Sequence, residues 1–178
     1  IVPEPFESRC SMGQRMKLIK QSGATTRCES LVREALRYLK ENQNENGSFG
    51  EPEEAVETTS LVLLAMLGHC ETPDSVEFGE TVTKSILFLI EQAGKNPDGP
   101  ISSPNAADPF RQNAIATLAL CELTAFVRPS GATKRVPRLL NSALIGLNVI
   151  RDQQLPTGDW GDPALDAWCR EALKTTIL

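Results

Sequence analysis

Apolar positions recur with a helical period along most of the chain, and no segment shows the two-residue period of a half-buried strand. Leu31, Val32, Ala35, Leu36 and Leu39 keep that spacing and predict an amphipathic helix over residues 26–43, about 25 Å long at 1.5 Å per residue. Thr25, Thr26 and Glu29 offer it a start of capping-box type. Residues 44–50 break it with two Asn and two Gly. Pro52 then suits the first turn of a second helix over residues 53–70, with Glu51, Glu53 and Glu54 favourable against its N-terminal dipole. Residues 61–67 are apolar all round, so this second helix is expected to be buried on most sides.

The same alternation runs on to the C-terminus. An amphipathic helix over residues 75–92 is followed by a Pro- and Gly-rich loop. Asp108 and Pro109 open a largely apolar helix. A fifth helix, over residues 133–154, places Leu140, Leu144, Leu147 and Ile150 on one face, and Asp162 with Pro163 opens the sixth. Residues 1–24 are expected to form an arm. Its basic amphipathic segment, residues 14–21, would pack on the main body through Met16, Leu18 and Ile19. Residues 25–178 form the repeat domain.

Three helical hairpins at a spacing of roughly 50 residues mark a stacked helical array. SLVLLAML at residues 60–67 aligns with AIATLALC at an offset of 54, and AWCREALK follows at a further 53. Ala65, Ala119 and Ala172 coincide, as small residues should where helices approach closely. The turns correspond as well. Gln43 precedes Gly47 and Phe49, and Gln154 precedes Gly158 and Trp160 at the same spacing. Gln92 and Gly99 form a degenerate copy that ends on Ile101.

This Gln-x3-Gly-x-aromatic turn resembles the QW motif of squalene–hopene cyclases and the turns of protein prenyltransferase β subunits. LRYLKENQNENGSFG, LAMLGHCETP and ATLALCEL carry a narrower likeness to prenyltransferase/squalene-oxidase-repeat proteins of planctomycete and verrucomicrobial type. The resemblance covers residues 25–178. It implies an all-α fold of three stacked hairpins, a partial α/α-toroid with inner and outer helix layers.

It also names the chemistry to look for. Cyclases of this superfamily use a DxDD-type acid; the nearest run here is Asp159, Trp160, Gly161 and Asp162, with Asp166 beyond, and it lacks the adjacent carboxylate pair. They line their cavities with aromatic rings that stabilise cations, whereas this chain has nine aromatics in all, of which Tyr38, Phe49 and Trp160 suit the scaffold. Prenyltransferases hold zinc through Asp, Cys and His. Asp166 and Cys169 lie one turn apart, but the lone His69 belongs to another helix, so no metal and no cofactor are expected. Runs of CGEQ, GxSxG and HExxH type are absent.

Two readings remain for the inner-helix entrances. By the repeat alignment Thr59, Asn113 and Asp166 are equivalent, and so are Glu57 and Arg111. They form either a polar pocket on the concave face or ordinary caps and solvated first turns. Cys70, Cys121 and Cys169 fall in apolar patterns and are expected as buried free thiols; the odd total of five argues against a full disulfide framework. His69 is expected as a capping or exposed residue. The net charge of −5 is mild and interspersed and argues against nucleic-acid binding.

The expected function is a non-catalytic binding or scaffold domain. Its partner would be a lipid, an isoprenoid or a protein on the concave face, with self-association covering the edges. The rival is an isoprenoid-handling cyclase or transferase with Asp162 and Asp166 as its acids. The chain opens on Ile1, so an upstream piece and a cell-envelope location are expected, with the cytoplasm as the alternative.

Overall fold

The computed structural model describes residues 4–127 and 138–176, and among them are eight helices and no strand. They are α1 (Glu4–Cys10), α2 (Met12–Gln21), α3 (Arg27–Glu41), α4 (Ala55–Gly68), α5 (Gly79–Lys95), α6 (Pro109–Val127), α7 (Leu139–Asp152) and α8 (Pro163–Thr175). None of them is long and apolar enough to cross a membrane. The all-α expectation holds.

The apolar helices pack together in chain order: α4 lies on α6 and α6 on α8, while α5 and α7 touch each other and flank α4 and α6. Burial follows the sequence pattern. Val56, Leu63 and Leu67 of α4 and Ile115, Leu120 and Leu123 of α6 are fully buried, whereas α3 buries only Leu36. A second cluster closes the C-terminal end, with Ala114, Leu118, Ile150, Cys169 and Ala172 around Trp160. Helices α6 and α7 approach closely at Gly146, where a Cβ would meet Thr117 Oγ1 at 2.0 Å and the carbonyl accepts from Asn113 Nδ2 at 3.1 Å.

The two good copies of the turn are built alike. Gln43 Nε2 donates to Gly47 O and Gln154 Nε2 to Gly158 O, both at 3.0 Å. Asn44 N–H bonds Ser48 O at 2.9 Å, as Leu155 N–H bonds Asp159 O at 2.9 Å. Gly47 and Gly158 have φ of +87° and +84°, a left-handed conformation that glycine adopts without cost from a Cβ. Phe49 and Trp160 then turn inward, both buried. In the degenerate copy Gly99 N–H bonds Asn96 O at 3.2 Å and Ile101 fills the aromatic's place, fully buried.

Several local expectations are corrected. Helix α4 begins at Ala55, because residues 51–54 form a turn closed by Glu54 N–H to Glu51 O at 3.0 Å. Pro52 occupies the second position of that turn, where its fixed φ fits equally well. The capping box before α3 does not form: Thr26 makes no side-chain cap, and Glu29 reaches Arg15 and His69 instead. Helix α5 starts at Gly79, after turns that cover residues 72–78. The expected start of the fifth helix, at Thr133, lies outside the described residues; the described part begins at Leu139.

The arm differs most. It holds two helices rather than a single segment, and α2 buries no residue fully; Leu18 is exposed. Cys70, expected as a buried free thiol, is bonded to Cys10 across 60 residues. The pairing joins the end of α1 to the residue after His69, a relation between distant segments that spacing along the chain does not encode. His69 is the C-cap of α4, as one of its two expected roles had it, but it is buried rather than exposed.

Candidate functional site

The residues aligned near the starts of α4, α6 and α8 form separate features. Glu57 on α4 and Arg111 on α6 do meet, as an ion pair of 2.7 Å with Arg111 half exposed. They line a cleft of about 330 Å³ together with Glu53, Glu54, Asp108 and Gln112. Gln112 closes its base, donating to Glu53 O at 2.8 Å and accepting from Ser103 N–H at 2.7 Å. Arg111 is the cation among four carboxylates there, and its guanidinium is already engaged.

Thr59 and Asn113 occupy equivalent places, but both are fully buried. Thr59 Oγ1 accepts from Phe49 N–H at 2.9 Å, and Asn113 Oδ1 accepts from Ile101 N–H at 3.0 Å. Each side chain therefore fastens the backbone of the residue that plugs its turn. No surface of either is available to a ligand.

Asp166 lies in a third place, an open recess of about 360 Å³ shared with Asp159, Gly161, Asp162 and Pro163. Asp162 is the N-cap of α8 and accepts from Leu165 N–H at 2.8 Å. Asp159 accepts from Gly161 N–H at 2.9 Å, and this backbone bond, with the Thr157 hydroxyl, holds its carboxyl below the usual range. Asp166 Oδ2 takes the Arg170 guanidinium one turn on, while Oδ1 is buried with no hydrogen-bond partner among the described residues. The Glu57–Arg111 pair and Asp166 thus belong to different recesses, and the mixed polar pocket does not assemble. Burial pushes the Cys169 thiol up to about 12, with the Asp166 charge adding to it, so Cys169 is held as a neutral thiol.

His69 is engaged elsewhere. Its Nε2 lies 3.0 Å from Glu29 Oε1 and its Nδ1 2.9 Å from Glu71 Oε1. Both ring nitrogens therefore face carboxylate oxygens. Arg15 Nη2 bonds the same Glu29 oxygen at 2.7 Å, and chiefly this contact keeps the Glu29 carboxyl below its ordinary range. This chain, Arg15–Glu29–His69–Glu71, ties the arm to α3 and the end of α4. Sequence reasoning missed it because its members come from three segments: α2, α3 and the end of α4. Among the described residues no group of three or more His, Cys, Asp or Glu is placed to hold a metal ion.

An apolar groove of about 170 Å³ lies between α6, α7 and the end of α8, lined by Cys121, Ala125, Leu140, Leu144, Leu147 and Thr175. Burial pushes the Cys121 thiol up to about 12, so no lining group is ionised at neutral pH. The signal for this groove was present in the sequence. Leu140, Leu144 and Leu147 form a stripe at helical spacing, yet the first two remain about half exposed. Compared with protein-family models, with curated proteins and with solved structures, the chain gives no match.

Proposed function

We propose that this chain is a non-catalytic helical-repeat binding domain: three hairpins, α3–α4, α5–α6 and α7–α8, of a partial α/α-toroid that holds an apolar chain of isoprenoid or acyl type. The supporting observation is how charge and apolar surface are divided. Glu57, Arg111, Asp162 and Asp166 are each engaged in an ion pair or a cap. The groove between α6, α7 and α8 presents aliphatic and hydroxyl side chains and no ionised group. Such a surface binds by apolar burial and has no acid with which to begin carbocation chemistry.

The matching bonds of the two good turns support the repeat reading, and the ordered packing of α4, α6 and α8 supports the layering. The Cys10–Cys70 bond supports a place in an oxidising compartment such as the cell envelope.

Titration with a dansyl-labelled undecanoic acid tests the reading. Saturable binding is expected, weakened about tenfold or more by Leu144→Arg, a loss of roughly 1.4 kcal/mol or more. Because Leu144 is half exposed, the variant should keep its helical circular dichroism. No saturation, or an unaffected variant, would sink the proposal. The isoprenoid-enzyme rival is checked with squalene and with farnesyl diphosphate: product formation that Asp166→Asn abolishes would replace this reading.

A further inference from the structure

The chain's charge is divided between two regions. Residues 9–40 hold eight Lys and Arg against Glu29 and Glu34, a balance of +6, so with −5 overall the remainder carries −11. The structure places this basic segment on the end of α1, on α2 and on α3, and leaves an apolar surface beside it. Leu18 is 53% exposed, Leu31 48%, Val32 44% and Tyr38 65%. Leu18, Ile19 and Val32 line one depression of about 330 Å³ between α1, α2, α3 and α4, whose other side carries the paired groups Arg9, Arg15, Glu29 and His69. Leu31 and Tyr38 extend the apolar surface along α3 at a spacing of two helical turns.

Not every cation in the segment is free. Arg9 pairs with Glu122, Arg15 with Glu29, and Arg33 and Arg37 share Glu77. Lys17, Lys20 and Arg27 engage no partner among the described residues. Lys17 and Lys20 flank Leu18, and Arg27 sits one turn before Leu31. Free cations interleaved with exposed leucines and a tyrosine are the composition of a surface that lies in a headgroup layer.

We propose that the α2–α3 face docks the protein on an anionic membrane surface. Lys17, Lys20 and Arg27 meet lipid phosphates, and Leu18, Leu31 and Val32 enter the boundary between headgroups and acyl chains. Charge complementarity selects the occupant and the orientation together. The −11 carried by the rest of the chain is repelled by an anionic bilayer, so this face turns toward it. The docking surface is separate from the groove between α6, α7 and α8, and its failure would leave that proposal standing.

The test is co-sedimentation of the full chain with vesicles of phosphatidylcholine alone and of phosphatidylcholine mixed with phosphatidylglycerol, at low and high salt. Binding is expected to the mixed vesicles only, and to fall as salt rises. The triple substitution Lys17→Gln, Lys20→Gln, Arg27→Gln should lower it on the order of 100-fold, from about 1 kcal/mol per surface cation. Leu31→Ser should weaken it separately, since that change leaves the charge intact. Circular dichroism should be unchanged in both variants. Equal binding to neutral vesicles, no vesicle binding at all, or an unaffected triple variant would each overturn the proposal. So would retention on duplex DNA or on an acidic protein without vesicle binding.

Discussion

Cys10, the last residue of α1, is bonded to Cys70, which follows the His69 cap of α4. The bond closes a loop between residues 60 apart and anchors an arm whose second helix buries nothing fully. Disulfides that close long loops typically contribute about 2–4 kcal/mol. Cys10→Ser should therefore lower the urea midpoint by that equivalent, and reduction of the wild type should do the same. The non-covalent ties, Phe6 on Phe126 at 4.9 Å and Arg9 to Glu122 at 2.7 Å, remain in both cases. If they already hold the arm fully, Cys10→Ser will unfold at the wild-type midpoint, and the bond will be structurally redundant.

The thiol pattern gives a second, independent check. With Cys10 and Cys70 joined, three cysteines are free: Cys28, half-buried, and Cys121 and Cys169, both buried. Burial pushes the last two up to about 12, so neither offers a thiolate near neutral pH. A disulfide reagent such as Ellman's should react with Cys28 alone in the native protein and with all three thiols in denaturant without reductant. Five reactive thiols in denaturant would refute the Cys10–Cys70 pairing.

What could be read from the chain and what could not divide on physical grounds. Helical period, apolar runs and Gly-containing turns are local. They gave the six helices of the main body, the buried character of α4 and α6, and the shared geometry of the turns at Gln43 and Gln154. The disulfide and the Arg15–Glu29–His69–Glu71 chain join segments far apart, and no spacing encodes them. The site residues show the same division. Glu57 and Arg111 were aligned by the repeat and meet as an ion pair. Thr59 and Asn113 were aligned just as well, but the next hydrogen bond each makes is to the turn plug, Phe49 or Ile101, and that is decided by packing.

Acid should loosen α3 before the rest. Glu77, just before α5, receives Arg37 and Arg33, and chiefly the Arg37 hydrogen bond lowers its carboxyl from 4.5 to about 2. A folded-state value below the unfolded one means that stability is present above pH 4.5 and is lost as pH falls toward 2. Helix α3 buries only Leu36 fully, with Leu39 partly buried against the core, so this ionic tie is one of the contacts that attach it. Hydrogen exchange of the α3 amides should quicken between pH 4.5 and about 2, and high salt should act in the same direction. Glu77→Gln should already exchange quickly at pH 6 and lose the acid dependence. An acid dependence of α3 exchange that persists in the variant would place the titrating group elsewhere, with Glu29 the first to examine.

The two copies of the turn predict unequal costs for the same substitution. Gln154 is exposed and donates to Gly158 O. Gln43 is half-buried, and its Nε2 is shared among Gly47 O at 3.0 Å, Thr81 O at 3.0 Å and Ser85 Oγ at 3.1 Å. It therefore joins the turn to α5 as well as closing it. Gln43→Ala strands Gly47 O in a half-buried place, although Thr81 O keeps the Ser85 hydroxyl at 3.0 Å. The expected loss is about 1–2 kcal/mol for Gln43→Ala and about 0.5 kcal/mol for Gln154→Ala, where Gly158 O keeps the Arg170 guanidinium at 3.1 Å and is open to water. Equilibrium urea unfolding of the two variants measures the difference directly. Equal losses would mean that closing the turn accounts for the whole effect of the glutamine and that its reach to α5 adds nothing.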